Sequence, residues 1–249
     1  MKKIVVVTAA YGRDKVRELG GQQALLPIIA GAGADGVEIR QELLSPEEMK
    51  ALPSLASAIR EQGLFAVYSI PQALFDEQGN LNAALPDFFA QAQQVGATSV
   101  KLSLGHYRPG CELSTLKALL NQQRVKLVVE NDQTVDCGIL SPLSAFFQAA
   151  SEAHLPLSMT FDMANWHWVG QEPLAAALRL ARYVSYVHVK AAARRQDKWH
   201  AIELAESDGS WRKLLNHLPN DVPRGIEFPL EGTDLLAITR DYVNLLRVE

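Results

Sequence analysis

Short apolar runs rich in β-branched residues alternate along the chain with longer stretches whose apolar residues recur at helical spacing. The predicted strands are IVVVTAA (4–10), GVEIR (36–40), FAVYSI (65–70), SVKLSLG (99–105), KLVVEN (126–131), LSMTFDM (157–163), VSYVHVK (184–190) and RGIEFPL (224–230). A helical pattern follows each run, which makes eight strand–helix units. Such alternation favours a parallel sheet, and eight units close a (β/α)8 TIM barrel of the α/β class.

The boundaries of the predicted elements carry several local signals. Ser45 is a good N-cap for a helix, Pro46 fits its first position, and Gly63 fits its end. Pro86 falls inside the helical pattern of 81–96 and predicts a break or kink there. A longer loop is expected after the seventh strand. An open doubly wound sheet is the rival architecture, but no GxGxxG follows the first strand. No linker divides the chain, so we interpret residues 1–249 as one domain.

Composition narrows the class of protein. The formal charge of -4 argues against a surface built for nucleic acid, which is usually basic. Cys111 and Cys137 are too few for a disulfide scaffold in 249 residues and are interpreted as free thiols. No apolar run approaches the ~20 residues of a membrane span, and the short run near the start leads into GRDK rather than a cleavage site. We therefore expect a cytoplasmic protein without a membrane or nucleic-acid partner. The amphipathic outer helices permit a homo-oligomer.

Four potential metal ligands lie at the carboxyl ends of the last four predicted strands: Glu130, Asp162, His188 and Glu227. A barrel brings such positions together at one mouth. Three carboxylates and one imidazole favour Mn²⁺, Mg²⁺ or Co²⁺, and Zn²⁺ is compatible with them. Each residue taken alone is better explained as a charged group paired with a neighbouring Lys or Arg. Four in succession favour a site for one divalent ion.

The motifs VVEND, TFDMANW, YVHVK and GIEF resemble those of the xylose isomerase-like TIM barrel superfamily, and most closely its sugar phosphate isomerase/epimerase group. The specific motifs lie between residues 126 and 230. The resemblance implies that the matching Glu, Asp, His and Glu bind one divalent ion. It also implies that Glu130 and Glu227 exchange protons with a substrate carbon from opposite faces. One departure is Asn165, where many relatives have a histidine; it argues against the multi-zinc DNA-repair endonucleases of the superfamily.

Several further residues are candidates for binding substrate. Glu38 and Arg40 share one side of their strand, and Glu38 either reaches the pocket or forms a buried ion pair with Arg40. Lys190 should face the same interior as His188, where it would bind a substrate oxygen or pair with Asp162 or Glu227.

The loops beyond the strands supply the remaining candidates. Asn165 is retained as one of them. His106 follows the fourth strand at the expected mouth, and Arg194 could hold an anionic group, although a solvated loop charge explains it as well. Trp166, with the adjacent His167 and Trp168, is predicted to form an aromatic wall suited to a sugar ring, although packing of the tryptophans within their own loop is the default explanation. Trp199 and His200 could belong to a lid.

These observations predict an isomerase or epimerase that depends on a divalent metal and acts on a small sugar, sugar phosphate or hydroxy-keto acid. An ion that binds a carbonyl and its neighbouring hydroxyl would stabilise an enediolate, while two glutamates act as general base and acid. A lyase or dehydratase acting on a sugar acid is an alternative, because the same enediolate can expel a leaving group. A barrel that only binds a sugar is a second alternative.

Overall fold

Eight parallel strands close into a barrel, in the order in which they occur along the chain. The computed structural model describes residues 2–111 and 113–249. The strands of the described chain are β1 (Ile4–Val7), β2 (Gly36–Arg40), β3 (Phe65–Phe75), β4 (Ala97–Gly105), β5 (Lys126–Glu130), β6 (Leu157–Asp162), β7 (Val184–Val189), β8 (Ala191–Arg195), β9 (Lys198–Ile202) and β10 (Arg224–Ile226). Strands β8 and β9 pair only with each other, and the other eight form the barrel. The predicted (β/α)8 TIM barrel is confirmed.

Helices surround the barrel and bury their apolar faces against the strands. They are α1 (Arg13–Glu18), α2 (Leu26–Gly31), α3 (Pro46–Lys50), α4 (Leu52–Glu61), α5 (Leu85–Val95), α6 (Ser114–Leu120), α7 (Leu140–Glu152), α8 (Pro173–Leu180), α9 (Ser210–Leu215) and α10 (Leu235–Val248). Short 3₁₀ segments lie at Thr8–Tyr11, Gln22–Leu25, Gln41–Leu43, Asn165–Val169, Ala181–Tyr183 and Leu204–Glu206. Within residues 2–111 and 113–249, no helix has both the length and the apolar character that crossing a membrane requires.

The helix that follows β2 begins and ends as the sequence signals predict, but it is interrupted. Ser45 accepts a hydrogen bond from the backbone N–H of Glu48, whose carboxylate accepts one from the Ser45 backbone, so the two residues form a capping box. Ala51 leaves helical geometry (φ -114°, ψ 27°) and divides α3 from α4. Gly63 follows α4 at φ 70°.

The predicted break at Pro86 is wrong. Helix α5 begins at Leu85, and Pro86 lies in its first turn. Proline is tolerated there because the first N–H groups of a helix have no carbonyl partner within the helix. Residues 81–84 therefore belong to the preceding loop, and the helix runs from Leu85 to Val95.

The predicted loop after β7 contains a β-hairpin. Strands β8 and β9 are antiparallel and are joined at Gln196 and Asp197, which have positive φ angles of 49° and 63°. Hairpin turns of this kind usually contain Gly or Asn. This turn has neither, so the sequence carried no recognisable hairpin signal. The hairpin places Trp199 over the 3₁₀ segment Asn165–Val169, where it stacks on His167 at 4.6 Å between ring centroids.

Candidate metal centre

The side chains of Glu130, Asp162, His188 and Glu227 converge at the carboxyl end of the barrel. One potential ligand atom from each residue lies within 4.8 Å of those from the other three. Glu130 and Asp162 are the last residues of β5 and β6, His188 pairs with Asp162 in the register of β6 and β7, and Glu227 follows β10 directly. Asp162 and His188 are buried completely, whereas the two glutamates are partly accessible from the mouth. The pattern of acidic and imidazole residues at the strand ends therefore predicted which side chains cluster in the structure.

The spacing of these donors fits a divalent ion. Nδ1 of His188 lies 2.8 Å from Oε1 of Glu130 and 3.0 Å from Oε2 of Glu227. Ligands held ~2.1 Å from an ion at right angles to one another are separated by roughly 3 Å. Within the described chain, Oε1 of Glu130 is buried and makes no hydrogen bond, which leaves its lone pairs for a cation. The donor set of three carboxylates and one imidazole suits Mn²⁺, Mg²⁺, Co²⁺ or Zn²⁺.

Burial perturbs the acidities of the group. Desolvation raises the pKa of Asp162 to about 7 in spite of the nearby Lys190 ammonium. Desolvation also acts to raise the pKa values of Glu130 and Glu227, but the charges of neighbouring cations outweigh it and lower both. Burial opposes a charge on His188, yet the surrounding glutamates raise its pKa well above the usual range. Metal ligation requires the neutral imidazole and ionised carboxylates.

A second set of charged side chains lies behind the four candidate ligands. Oε2 of Glu38 lies 2.8 Å from Nε2 of His188, and Oε1 of Glu38 lies 3.0 Å from Nζ of Lys101. Lys101 also donates a hydrogen bond of 2.6 Å to Oε2 of Glu130. Glu38 is inaccessible to solvent. The expectation that Glu38 contacts substrate is therefore corrected, because its carboxylate lies behind His188.

A buried ion pair between Arg40 and Glu38 was one prediction, but Arg40 lies nearer to the mouth and to Glu227. Its Nη1 atom is 3.8 Å from Glu38 but 3.0 Å from Oε1 of Glu227, and its Nε atom is 2.8 Å from Glu42. These carboxylates raise the pKa of Arg40 above its usual value, against the effect of burial. Arg40 is therefore mainly a partner of Glu227. Each glutamate of the cluster has one oxygen bound to a cationic side chain, Lys101 for Glu130 and Arg40 for Glu227.

Lys190 reaches the cluster from just beyond β7. Its Nζ atom lies 3.3 Å from Oδ2 of Asp162, 3.3 Å from Oε2 of Glu227, and 3.1 Å from Oδ1 of Asn165. The carboxylates raise the pKa of Lys190 although burial opposes it. The two roles predicted for Lys190 are compatible with one position, since it pairs with Asp162 and Glu227 and also borders the mouth.

A cavity of about 270 Å³ is lined in part by Lys190, Glu227, Tyr11 and Phe228.

Asn165 and Asn131 fix the backbone around Asp162. Asn165 donates a hydrogen bond to the Asn131 carbonyl and accepts one from Lys190. Asn131 exchanges two hydrogen bonds with the backbone of Asp162, at 2.9 and 3.0 Å. Oδ1 of Asp162 in turn accepts from the N–H groups of Ala164 and Asn165. This network leaves Oδ2 of Asp162 directed at Lys190 and the cluster.

Three residues predicted to bind substrate are located away from the cluster. Trp166 has no accessible surface and packs on Phe161 in the hydrophobic core, so its predicted place in an aromatic wall is wrong. Arg194 is exposed on β8 and pairs with Asp197 at 3.4 Å. His106 is half-buried beyond β4, with Nε2 3.9 Å from Asp136.

Three further aromatic side chains, His167, Trp168 and Trp199, pack together beside Lys190. Nζ of Lys190 lies 5.8 Å from the centre of the Trp168 ring, and Trp168 packs against Trp199 at 6.4 Å between centroids. Trp166 and Trp168 point in different directions because a 3₁₀ helix has three residues per turn, so side chains two positions apart do not share a face. Trp166 faces the core and Trp168 faces Lys190. Of the two tryptophans in the predicted wall, Trp166 lies in the core, whereas Trp168 packs beside Lys190 and Trp199.

Lys101 and Asn131 were not anticipated as parts of the centre. Lys101 is the one charged residue in the otherwise uncharged run SVKLSLG, and a buried strand admits a lysine only when it has partners. Asn131 follows Glu130 directly and is inaccessible to solvent. A charged residue inside a barrel strand was the available signal for Lys101, whereas the backbone contacts of Asn131 required the structure.

Comparison with known proteins defines the fold. No protein-family model and no curated protein sequence matches the chain. Among solved structures, a xylose isomerase domain-containing protein from Salmonella typhimurium matches with a TM-score of 0.72 and 16% identity, over 100% of this chain and 97% of that one. The IOLI protein with a bound zinc atom matches with a TM-score of 0.72 and 13% identity, over 98% of this chain and 97% of its own.

A third similar structure is a D-allulose 3-epimerase from Methylomonas sp. in complex with D-allulose. Its TM-score is 0.68 at 12% identity, over 99% of this chain and 96% of that one. The chain therefore has the fold of the xylose isomerase-like TIM barrels, which the motifs on strands five to eight had predicted.

Proposed function

We propose that this protein is an isomerase or epimerase that uses one divalent metal ion and acts on a small sugar, sugar phosphate or hydroxy-keto acid. The observation that carries the proposal is the proximity of Glu130 and Glu227 to Nδ1 of His188, at 2.8 and 3.0 Å. The two residues come from opposite ends of the strand series β5–β6–β7–β10, so their carboxylates approach the centre from different directions. Two bases so placed suit proton removal and return at one carbon.

The metal would be held by Glu130, Asp162, His188 and Glu227. When bound, the ion would act as a Lewis acid on a substrate carbonyl and its neighbouring hydroxyl, lowering the cost of forming an enediolate. Similarity to a zinc-containing protein and to a sugar epimerase of the same fold supports this proposal.

The chain's own residues would move the protons. One glutamate removes the proton from the carbon next to the carbonyl, and the other returns a proton to the same carbon or its neighbour. Desolvation opposes ionisation of both glutamates, but Lys101 lowers the pKa of Glu130 and Lys190 lowers that of Glu227, which suits a base more than an acid. Lys190, at the edge of the cavity, would bind a substrate oxygen. Trp168 and Trp199 would present apolar surface to a sugar ring.

Solvent exchange tests the proposal directly. The protein loaded with Mn²⁺ is incubated in D₂O with D-fructose, D-allulose and hydroxypyruvate in turn, and the products are analysed by NMR. We expect deuterium at the carbon next to the carbonyl, with formation of an epimer or isomer, and loss of both after metal is removed by a chelator. Loss of water from the substrate would identify a lyase instead. Absence of exchange and product with every member of a broad panel of ketoses and keto acids would contradict the proposal.

A further inference from the structure

We propose that Glu38 and Lys101 are positioning residues that select which atoms of His188 and Glu130 face the metal ion. Glu38 would make Nδ1 the ligand atom of His188, and Lys101 would make Oε1 the ligand atom of Glu130. This inference rests on the proposed metal-dependent function. It concerns residues that touch neither the mouth nor the expected position of substrate.

The argument for Glu38 begins with the two nitrogens of His188. Oε2 of Glu38 lies 2.8 Å from Nε2, and a carboxylate can only accept a hydrogen bond. Nε2 therefore donates a proton to Glu38. Nδ1 also faces carboxylates, those of Glu130 and Glu227, but a metal ion bound at the cluster would take the place of any proton on Nδ1. In the neutral imidazole the lone pair is then on Nδ1, the nitrogen that lies between Glu130 and Glu227. Carboxylates that hold the second nitrogen of a ligating histidine fix its tautomer and orientation in this way.

The argument for Lys101 begins with the two oxygens of Glu130. Lys101 donates a 2.6 Å hydrogen bond to Oε2, while Oε1 makes none and faces His188. Lys101 extends from β4 at the position paired with Val128, two residues before Glu130 on β5, so both side chains lie on the inner face of the barrel. Lys101 is 1% exposed, so its ammonium group has no access to water that would compete with these carboxylates.

Glu38 and Lys101 contact each other and therefore act together. Nζ of Lys101 also lies 3.0 Å from Oε1 of Glu38, so the lysine bridges the carboxylate behind His188 and the carboxylate of Glu130. Glu227 has a different arrangement. Its second oxygen is bound to Arg40, which is 20% exposed at the rim and shares its charge with Glu42. The orientation of Glu130 is therefore fixed from inside the barrel, whereas that of Glu227 depends on a side chain accessible from the mouth.

The first test is made on the unmodified protein, and a variant serves only to assign the signal of His188. Protein labelled with ¹⁵N and loaded with Zn²⁺ is examined by long-range ¹H–¹⁵N NMR of its histidine rings, with His188 assigned from its loss in His188→Gln. We expect a proton on Nε2 and the metal shift on Nδ1. A proton on Nδ1, or coordination through Nε2, would overturn the role assigned to Glu38, whatever the enzymatic activity is.

The second test uses two variants and calorimetric titration with Co²⁺. In Glu38→Gln the side-chain amide can donate to Nε2 and so move the imidazole proton to Nδ1, while Lys101→Met removes the ammonium group at similar length. We expect each variant to bind Co²⁺ about 10- to 100-fold more weakly and to show an altered visible Co²⁺ spectrum. Arg224→Met is the matched control, since Arg224 is a buried cation on β10 bonded to Leu246 and Asn220. It should lower the melting temperature and leave Co²⁺ affinity unchanged.

Unchanged affinity and spectrum in both variants would overturn the inference while leaving the proposed function intact. If Lys101→Met does not fold, the isosteric Glu38→Gln and the NMR result on the unmodified protein decide the question. An unmodified protein that binds neither Zn²⁺ nor Co²⁺ would overturn the proposed function first, and this inference with it.

Discussion

The ammonium group of Lys190 lies 3.3 Å from Oδ2 of Asp162, so one of the four candidate ligands is paired with a cation of the protein itself. The same nitrogen is 3.3 Å from Oε2 of Glu227. Two of the candidate ligands thus share a positive charge that would repel a divalent ion. Lys190 therefore neutralises the carboxylates and would limit the affinity of this cluster for a divalent ion.

Replacing Lys190 with methionine should tighten metal binding. Removal of a unit charge at about 4 Å is worth ~4 kcal/mol at an effective dielectric constant of ~20, so a gain of about tenfold or more in Mn²⁺ affinity is a conservative expectation. The metal-free variant should be less stable, because it leaves buried carboxylates without a partner. Calorimetric titration measures the affinity, with Lys190→Arg as the control that keeps the charge. Weaker Mn²⁺ binding by Lys190→Met would show that the lysine supports the centre.

Glu227→Gln should abolish proton exchange and leave the fold intact. The amide cannot act as a base, and loss of a positioned general base typically costs about 10²- to 10⁴-fold in rate. The variant is assayed by deuterium incorporation, with metal content measured in parallel. Glu206→Gln, which alters a surface carboxylate paired with Arg195, is the control and should keep full activity. Near-normal exchange by metal-loaded Glu227→Gln would remove this residue from the acid/base pair.

Metal binding should stabilise the fold, and Asp162→Ala should weaken that effect strongly. A ligand present at about 100 times its Kd adds ~2.7 kcal/mol to the free energy of unfolding, which for a chain of this size is a rise in Tm of roughly 5–10 °C. Thermal melts with Mn²⁺ and with a chelator measure the difference. An equal rise in Asp162→Ala would mean that the stabilising ion binds elsewhere.

The two tryptophans of the segment after β6 should respond differently to truncation. Trp166→Ala removes a fully buried ring from the core and should cost about 3–5 kcal/mol of stability. Trp168→Ala removes a partly exposed ring and should cost about 1 kcal/mol, but it should raise KM for the substrate. Denaturant unfolding and steady-state kinetics separate the two effects. A large rise in KM for a folded Trp166→Ala, with none for Trp168→Ala, would show that Trp166 contacts the substrate, as predicted from the sequence.

Periodicity was sufficient to predict the barrel and the convergence of its strand-end residues. Glu130, Asp162, His188 and Glu227 occupy equivalent ends of parallel strands, and closure of the barrel requires such ends to meet. Strand parity also predicted that Glu38 and Arg40 lie on the same side of β2, because side chains repeat every two residues along a strand.

The contacts that the sequence did not predict depend on distances across the barrel and on local turns. Glu38 lies closer to His188 and Lys101, which are distant in sequence, than to Arg40 two residues away. The choice between Trp166 and Trp168 depends on the path of a 3₁₀ segment that no periodic pattern encodes.

The most direct test of the metal centre is a crystal structure of the protein soaked with Mn²⁺, with the ion located by its anomalous scattering. We expect one ion at the end of the barrel, bound by oxygens of Glu130, Asp162 and Glu227 and by Nδ1 of His188, at about 2.0–2.4 Å. No ion at this position, or an ion that leaves Glu130 and Glu227 unbound, would contradict the account.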